Sequence, residues 1–109
     1  MPKDLLGEFE HQVLLAVLRL GHEAYSASLV TELEDRTGRD VAPAAVYIAL
    51  RRLEEQGLAA SEMRRAAVEE GGRQRRYFAV TDDGRALLRE SKRRLVRLWE
   101  GLDGALGET

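Results

Sequence analysis

The sequence predicts a mainly α-helical domain of the α+β class with one β-hairpin, and three observations support this. Three stretches with helical periodicity come first, two short strand-like runs follow, and a fourth helical stretch ends the chain. A length of 109 residues suits a single domain, and hydrophobic residues make up 44% of the chain, enough for one core. We therefore expect one compact unit without a separate cofactor module.

Glycine and serine mark the bounds of the first two predicted helices. Apolar residues at helical spacing run from about Leu5 to Leu20, and Gly21 stands where a C-cap is expected. The wide apolar face predicts a helix that is buried on more than one side. Ser26 is the predicted N-cap of a second, amphipathic helix that ends at Gly38.

The third predicted helix begins at Pro43, where a first turn tolerates a missing N–H, and ends before Gly57. Its inner face is predicted as Val46, Leu50 and Leu53. The opposite side presents a hydroxyl and two guanidinium groups to solvent, from Tyr47, Arg51 and Arg52. These groups suit contacts with phosphates or base edges, although pairing with nearby glutamates would equally make this an ordinary solvated face.

The rest of the chain predicts a β-hairpin and a last helix. Leu58–Met63 and Arg76–Val80 are strand-like, and a basic, glycine-containing tip separates them. Thr81 is the predicted N-cap of the last helix, which we expect to end between Trp99 and Asp103. Leucines seven residues apart and their large neighbours form one apolar stripe, which requires a partner: Leu88, Leu95, Leu98, Trp99 and Leu102.

This order of elements is that of a winged helix-turn-helix, in which the third helix enters the DNA major groove and the hairpin, called the wing, reaches flanking DNA. The net charge of −2, taken alone, argues against nucleic-acid binding. However, residues 1–42 carry four basic and eight acidic side chains, whereas residues 43–81 carry seven arginines and five glutamates. The positive charge therefore collects on the predicted recognition helix and wing.

Other functional classes have little support in the sequence. Cysteine is absent, which excludes disulfides, thiolate metal sites and cysteine nucleophiles. Glu8 and His11 have the spacing of a carboxylate–histidine metal pair, but without a second ligand cluster we predict no metal and no cofactor. No catalytic motif suggests an enzyme. The sequence shows neither a signal peptide nor a membrane-spanning run, so we expect a cytoplasmic location.

A series of short motifs covers nearly the whole chain. They are Leu6-Gly7-Glu8-Phe9-Glu10, Val13-Leu14-Leu15-Ala16-Val17-Leu18, Ala24-Tyr25, Thr37-Gly38-Arg39, Ala45-Val46-Tyr47, Arg52-Leu53-Glu54, Gly57-Leu58, Gly71-Gly72-Arg73, Arg76-Tyr77-Phe78 and Thr81-Asp82-Asp83-Gly84. In order and spacing these motifs resemble the short form of the PadR family of bacterial transcriptional regulators. The chain departs from the family pattern at Ala44-Ala45, where many members have glycine and a hydroxyl residue, and at Ile48, where proline is frequent.

The resemblance implies a homodimeric winged-helix regulator, usually a repressor, whose C-terminal helix forms the interface with help from the first helix. Residues 1–81 would bind DNA and residues 82–109 would form the dimerisation helix, and two-fold symmetry predicts an inverted-repeat operator in double-stranded DNA. Carried over by position, the DNA-binding residues are Tyr47, Arg51, Arg52, Arg73, Arg75 and Arg76.

Two questions stay open at the level of the sequence. In a multidrug-binding relative, a tryptophan of the corresponding helix stacks on planar ligands, so Trp99 either packs the dimer or lines a site for a small aromatic effector. The alternative function is a winged-helix protein–protein interaction module that does not bind DNA. The overall acidic charge would suit that module, whereas the arginines of the third helix and the wing favour DNA.

Overall fold

A computed structural model describes residues 6–107 and shows, within that range, four α-helices and one two-stranded antiparallel sheet. In chain order the elements are α1 (Glu8–Leu20), α2 (Ser26–Thr37), α3 (Pro43–Glu55), β1 (Ala59–Arg65), β2 (Gln74–Val80) and α4 (Asp82–Trp99), with 3-10 turns at Gly21–Glu23 and Val68–Glu70. This order confirms the predicted mainly α-helical fold with a two-stranded wing.

The first helix begins later than its apolar pattern suggests. Gly7 has extended backbone and is the N-cap, so α1 starts at Glu8, while Leu5 lies outside the described residues. Gly21 follows the helix with a φ of 57°, a conformation that favours glycine, and so confirms the predicted end. The side of α1 that contacts α2, α3 and β2 consists of Val13, Leu14, Ala16 and Val17.

The N-cap of α2 is Tyr25, one residue before the predicted Ser26. Ser26 is the first helical residue, and Ser28 supplies the hydroxyl that the helix start requires. This hydroxyl accepts a hydrogen bond from the Tyr25 N–H (3.0 Å) and donates one to the Glu23 carbonyl oxygen (2.6 Å). The prediction failed because two serines stand close to the helix start, and only the backbone path decides which of them reaches a free backbone group. Gly38, left-handed with a φ of 71°, ends α2 as predicted.

The third helix matches its prediction in bounds and in orientation. Pro43 is its first residue, and it ends at Glu55. The predicted inner face is enclosed in the core together with Ala49, and the buried set is Val46, Ala49, Leu50 and Leu53. The outer face is exposed and consists of Ala44, Tyr47, Ile48, Arg51 and Arg52.

Both strands of the wing are longer than the sequence predicts. Arg64 pairs with Arg75 in the ladder, and beyond them the Ala66 N–H donates to the Arg73 carbonyl oxygen (2.7 Å). The strand pattern in the sequence stops earlier because arginines replace apolar residues there, whereas backbone pairing does not depend on side-chain polarity. The tip of the wing is therefore a short turn.

Thr81 joins the start of α4 to the end of α3. Its side-chain oxygen accepts a hydrogen bond from the Gly84 N–H (3.0 Å), which confirms the predicted N-cap. The same hydroxyl donates to the Gly57 carbonyl oxygen (2.7 Å), and the Thr81 N–H donates to the Leu58 carbonyl oxygen (3.1 Å). These bonds hold α4 against the connection between α3 and β1.

We expect Gly84→Ala to lower the free energy of unfolding by about 1–3 kcal/mol. A Cβ at Gly84 would overlap the Leu58 carbonyl oxygen and lie 2.8 Å from Cγ1 of Val80, so α4 would have to move. Urea unfolding followed by circular dichroism measures the change. Gly104→Ala is the matched control, because a Cβ there meets nothing within 4 Å. Equal stability of the two variants would contradict the close approach.

Only the first half of α4 packs on the core. Leu88 is 7% exposed and belongs to the core cluster, and Ser91 beside it is also buried. The residues from Lys92 to Trp99 are exposed. The sequence analysis included Leu88 in the apolar stripe that requires a partner. In the structure Leu88 belongs to the chain's own core, because this part of α4 still contacts α1 and β2.

Candidate nucleic-acid interface

An open cleft lies between the exposed side of α3 and the wing. Its volume is about 400 Å³, and its lining residues are Tyr47, Arg51, Glu54, Glu55, Arg76 and Phe78. Three sequence-predicted site residues, Tyr47, Arg51 and Arg76, therefore share one surface. Folding brings Arg76 to the other two although it lies 25 or more positions later in the chain.

Tyr47 and Arg51 are one helical turn apart and hold each other in place. Arg51 Nη1 donates to the Tyr47 hydroxyl (3.0 Å), and the guanidinium carbon lies 5.9 Å from the centre of the ring. This hydrogen bond is the main cause that raises the pKa of Arg51 above its ordinary value, and the carboxylates of Glu55 and Glu54 add to it. Because the Arg51 side chain is exposed and lines the cleft, its guanidinium is accessible to a ligand that enters the cleft.

A chain of hydrogen bonds connects Arg76 of the wing to α3. Arg76 Nη1 donates to the Ser61 hydroxyl oxygen (3.0 Å), and that hydroxyl donates to Glu54 Oε2 (2.7 Å). Ser61 was not predicted as a site residue. Alternate residues of β1 face the cleft, and Ser61, which pairs with Phe78, is one of them. The sequence alone could not identify Ser61 as a site residue, because the alternation has to be combined with the strand register.

Arg52 lies apart from this cleft. It is one residue after Arg51 and hence about 100° further around α3. Its guanidinium Nη1 is 3.9 Å from Oε2 of Glu10 on α1. The two adjacent arginines therefore face different neighbours, and Arg51 is the one directed into the cleft.

The wing separates three arginines that are close in sequence. Arg73 is exposed at the tip. Arg76 faces the cleft, whereas Arg75 lies on the opposite face of β2, since successive side chains alternate along a strand. The Arg75 guanidinium covers the Tyr25 ring at 4.1 Å from its centre and lies 3.4 Å from Oε1 of Glu70. The contact with Arg75 offsets the negative charge of Glu70 near the wing tip.

Besides Tyr47 and Ile48 on α3, large apolar side chains remain exposed on α1 and on α4. On α4 they include Leu95, Leu98 and Trp99. Leu102 of the predicted stripe is also exposed but lies beyond α4, because the backbone leaves the helix at Glu100 and Gly101 has a φ of 79°. Leu98 is the most open of them, with 72% of its surface exposed. On α1, Leu15 and Leu18 are likewise exposed and face a groove beside α2. The wide apolar face predicted for α1 is thus only partly covered within one chain.

Neither a metal site nor a membrane span is found in residues 6–107. Over that range no three histidine, aspartate or glutamate side chains come together as ligands, and no helix is both long and apolar enough to cross a bilayer. His11, which the sequence spaces with Glu8, lies with its Nδ1 3.3 Å from the Ser91 hydroxyl oxygen. The two residues thus connect α1 to α4.

Comparison with known families decides what kind of protein carries this surface. The profile described as "Transcriptional regulator PadR-like family" matches residues 14–90, which include α3, the whole wing and the start of α4. The chain belongs to the PadR-like family. As a PadR-like transcriptional regulator it binds DNA and is not an enzyme.

Individual relatives agree with this assignment. The PadR-like chain is 40% identical over 88 residues to "Transcriptional regulator Rv3488" of Mycobacterium tuberculosis, which covers 81% of this chain and 78% of the relative. A PadR family transcriptional regulator from Eggerthella lenta is 36% identical, with a TM-score of 0.66 over 94% of this chain and 88% of that one. A PadR-like regulator from Bacillus cereus, 22% identical, shares the fold with a TM-score of 0.75 over 93% of each chain.

Proposed function

We propose that this PadR-like regulator is a homodimeric transcriptional repressor that binds an inverted-repeat operator in double-stranded DNA. Residues 1–81 form its DNA-binding part, and residues 82–109 form its dimerisation segment, of which α4 is the helical part. The observation that carries this proposal is the convergence of Tyr47, Arg51 and Arg76 on the cleft between α3 and the wing. A helix flanked by a wing suits a major groove and the phosphates beside it.

Four of the five predicted arginines receive roles in DNA binding from their surroundings. Arg51, oriented by Tyr47, reads a base edge, because a planar guanidinium matches the two acceptors of guanine. Arg73 and Arg76 contact phosphates on either side of the groove, and Arg52 adds a backbone contact at the α1 side. Ile48, 50% exposed on the same helix, offers an apolar contact to a thymine methyl group.

The exposed apolar side chains of α1 and α4 support the dimer. Leu95 and Leu98 lie one turn apart on α4, Trp99 follows Leu98, and Leu102 lies just beyond the end of the helix. Burial of these side chains against a second copy, with help from Leu15 of α1, removes apolar surface that a single chain leaves in water. Two recognition helices related by a two-fold axis then match half-sites about one helical turn, roughly 10 bp, apart.

Trp99 also provides the place where a small planar effector would relieve repression. Trp99 is 49% exposed and follows Leu98 on the exposed half of α4, and an aromatic ring on an apolar surface suits flat aromatic compounds. Because Trp99 is the only tryptophan, its fluorescence reports on this position alone. Quenching by planar dyes with a concurrent loss of operator affinity is the expected result. Fluorescence that changes only with dimerisation would assign Trp99 to packing.

The proposal is tested by a fluorescence-anisotropy titration of the purified protein against its own upstream DNA and a scrambled duplex, at about 0.15 M salt. We expect a preference for the native sequence of about 10³ or more. Weak and equal binding to DNA fragments that together cover the genomic region around its own gene would contradict the proposal. That result would favour a protein–protein interaction module with the same fold.

A further inference from the structure

Four side chains on the face of the wing opposite the cleft form one interlocked group, the Arg–Tyr cluster: Tyr25, Arg64, Arg75 and Tyr77. The two tyrosine rings meet edge to face, with centres 5.5 Å apart and planes inclined by 66°. The Arg64 guanidinium lies 3.8 Å above the Tyr77 ring, and the Arg75 guanidinium lies 4.1 Å above the Tyr25 ring. Each cation thus rests on a different aromatic face.

Without the rings this arrangement would be unfavourable. Arg64 and Arg75 are direct partners in the β-ladder, and like charges at directly opposed positions destabilise a strand pair. The negative ring faces offset this repulsion, and so do Glu62, 3.3 Å from Arg64, and Glu70, 3.4 Å from Arg75. A weak hydrogen bond to the Tyr77 hydroxyl is the main cause that raises the pKa of Arg75 above its ordinary value.

The cluster fastens the wing to the chain that leads into α2. Tyr25 is the N-cap of α2, whereas the other three members belong to β1 and β2. Arg64 Nη2 donates to the His22 carbonyl oxygen (2.9 Å), and the Phe78 N–H donates to the Ala24 carbonyl oxygen (2.8 Å). The wing is thus held on one face by the start of α2 and on the other by the Arg76–Ser61–Glu54 chain.

We propose that the Arg–Tyr cluster sets the angle between the wing and α3, and that Arg75 is a positioning residue that acts through Tyr25 rather than a phosphate contact. This inference rests on the proposed function, since it concerns binding of the operator. Two observations carry it: the side chain of Arg75 is 24% exposed, and its guanidinium is engaged with Tyr25, Tyr77 and Glu70. It follows that Tyr25, an uncharged residue outside the cleft, controls DNA affinity.

A double-mutant cycle on operator affinity separates positioning from direct contact. We expect Tyr25→Leu and Arg75→Met each to weaken operator binding about tenfold, and the double variant to lose about tenfold as well, because both changes break the same contact. Tyr25→Phe keeps the ring face and is the matched control, with affinity close to that of the wild type. Losses that multiply to about a hundredfold, or an unchanged Tyr25→Leu variant, would overturn the proposal.

Amide hydrogen exchange on the free protein provides a readout that needs no DNA. In Tyr25→Leu and in Arg75→Met we expect faster exchange of the Phe78 N–H, while the Val17 N–H in the core of α1 exchanges as in the wild type. Acceleration at both amides, or at neither, counts against a local fastening of the wing. Wild-type protein without operator preference would overturn the proposed function itself, and that result differs from every variant outcome named above.

Discussion

Replacement of Leu98 by glutamate on α4 is expected to convert the protein to a monomer and to reduce operator affinity by about 100-fold or more. Leu98 is 72% exposed in the single chain, so a carboxylate there leaves the fold of the chain intact. In the proposed dimer the same carboxylate would be buried without a partner among leucines, which is costly. Sedimentation measures the mass of the particle, and fluorescence anisotropy measures its affinity for the operator.

The matched control is Arg97→Gln. It changes the net charge by the same single unit, but residue 97 lies about 100° around α4 from Leu98, on the side away from the leucines. We expect this variant to remain dimeric and to bind the operator at nearly wild-type strength. A Leu98→Glu protein that sediments as a dimer would place the interface elsewhere on the molecule.

Removal of the Arg51 side chain is expected to weaken operator binding by about 1–3 kcal/mol per half-site and to relax sequence preference at one base pair. The reason is its position: Arg51 faces the open cleft, and the Tyr47 hydroxyl holds its guanidinium in one orientation. Titrations of Arg51→Ala against operators with single base-pair changes measure both effects.

Arg73→Ala supplies the comparison for Arg51→Ala. Arg73 is exposed at the wing tip, so as a phosphate contact its loss should weaken binding to all sequences alike. The slope of log affinity against log salt should fall by about one. If both variants lose affinity without regard to sequence, Arg51 does not read a base and the division of roles between α3 and the wing is wrong.

Local signals in the sequence were sufficient for the order of the elements and for α3. Pro43 and Gly57 bound that helix, and its apolar spacing identifies the buried face without knowledge of any neighbour. The N-cap of α2 shows where such signals stop. Ser26 and Ser28 carry the same hydroxyl group, and only the path of the backbone through Tyr25 places Ser28 within reach of the free N–H.

The fold class, the exposed face of α3 and the family could be predicted from the sequence, because these depend on residue type and spacing along one stretch of chain. Tertiary structure alone decided that Leu88 is core while Leu98 is surface, since a seven-residue repeat does not show where α4 leaves the body of the protein. It also decided that Arg76 faces the cleft and Arg75 faces Tyr25, because strand register assigns alternate residues to opposite faces and register is set by pairing across the hairpin.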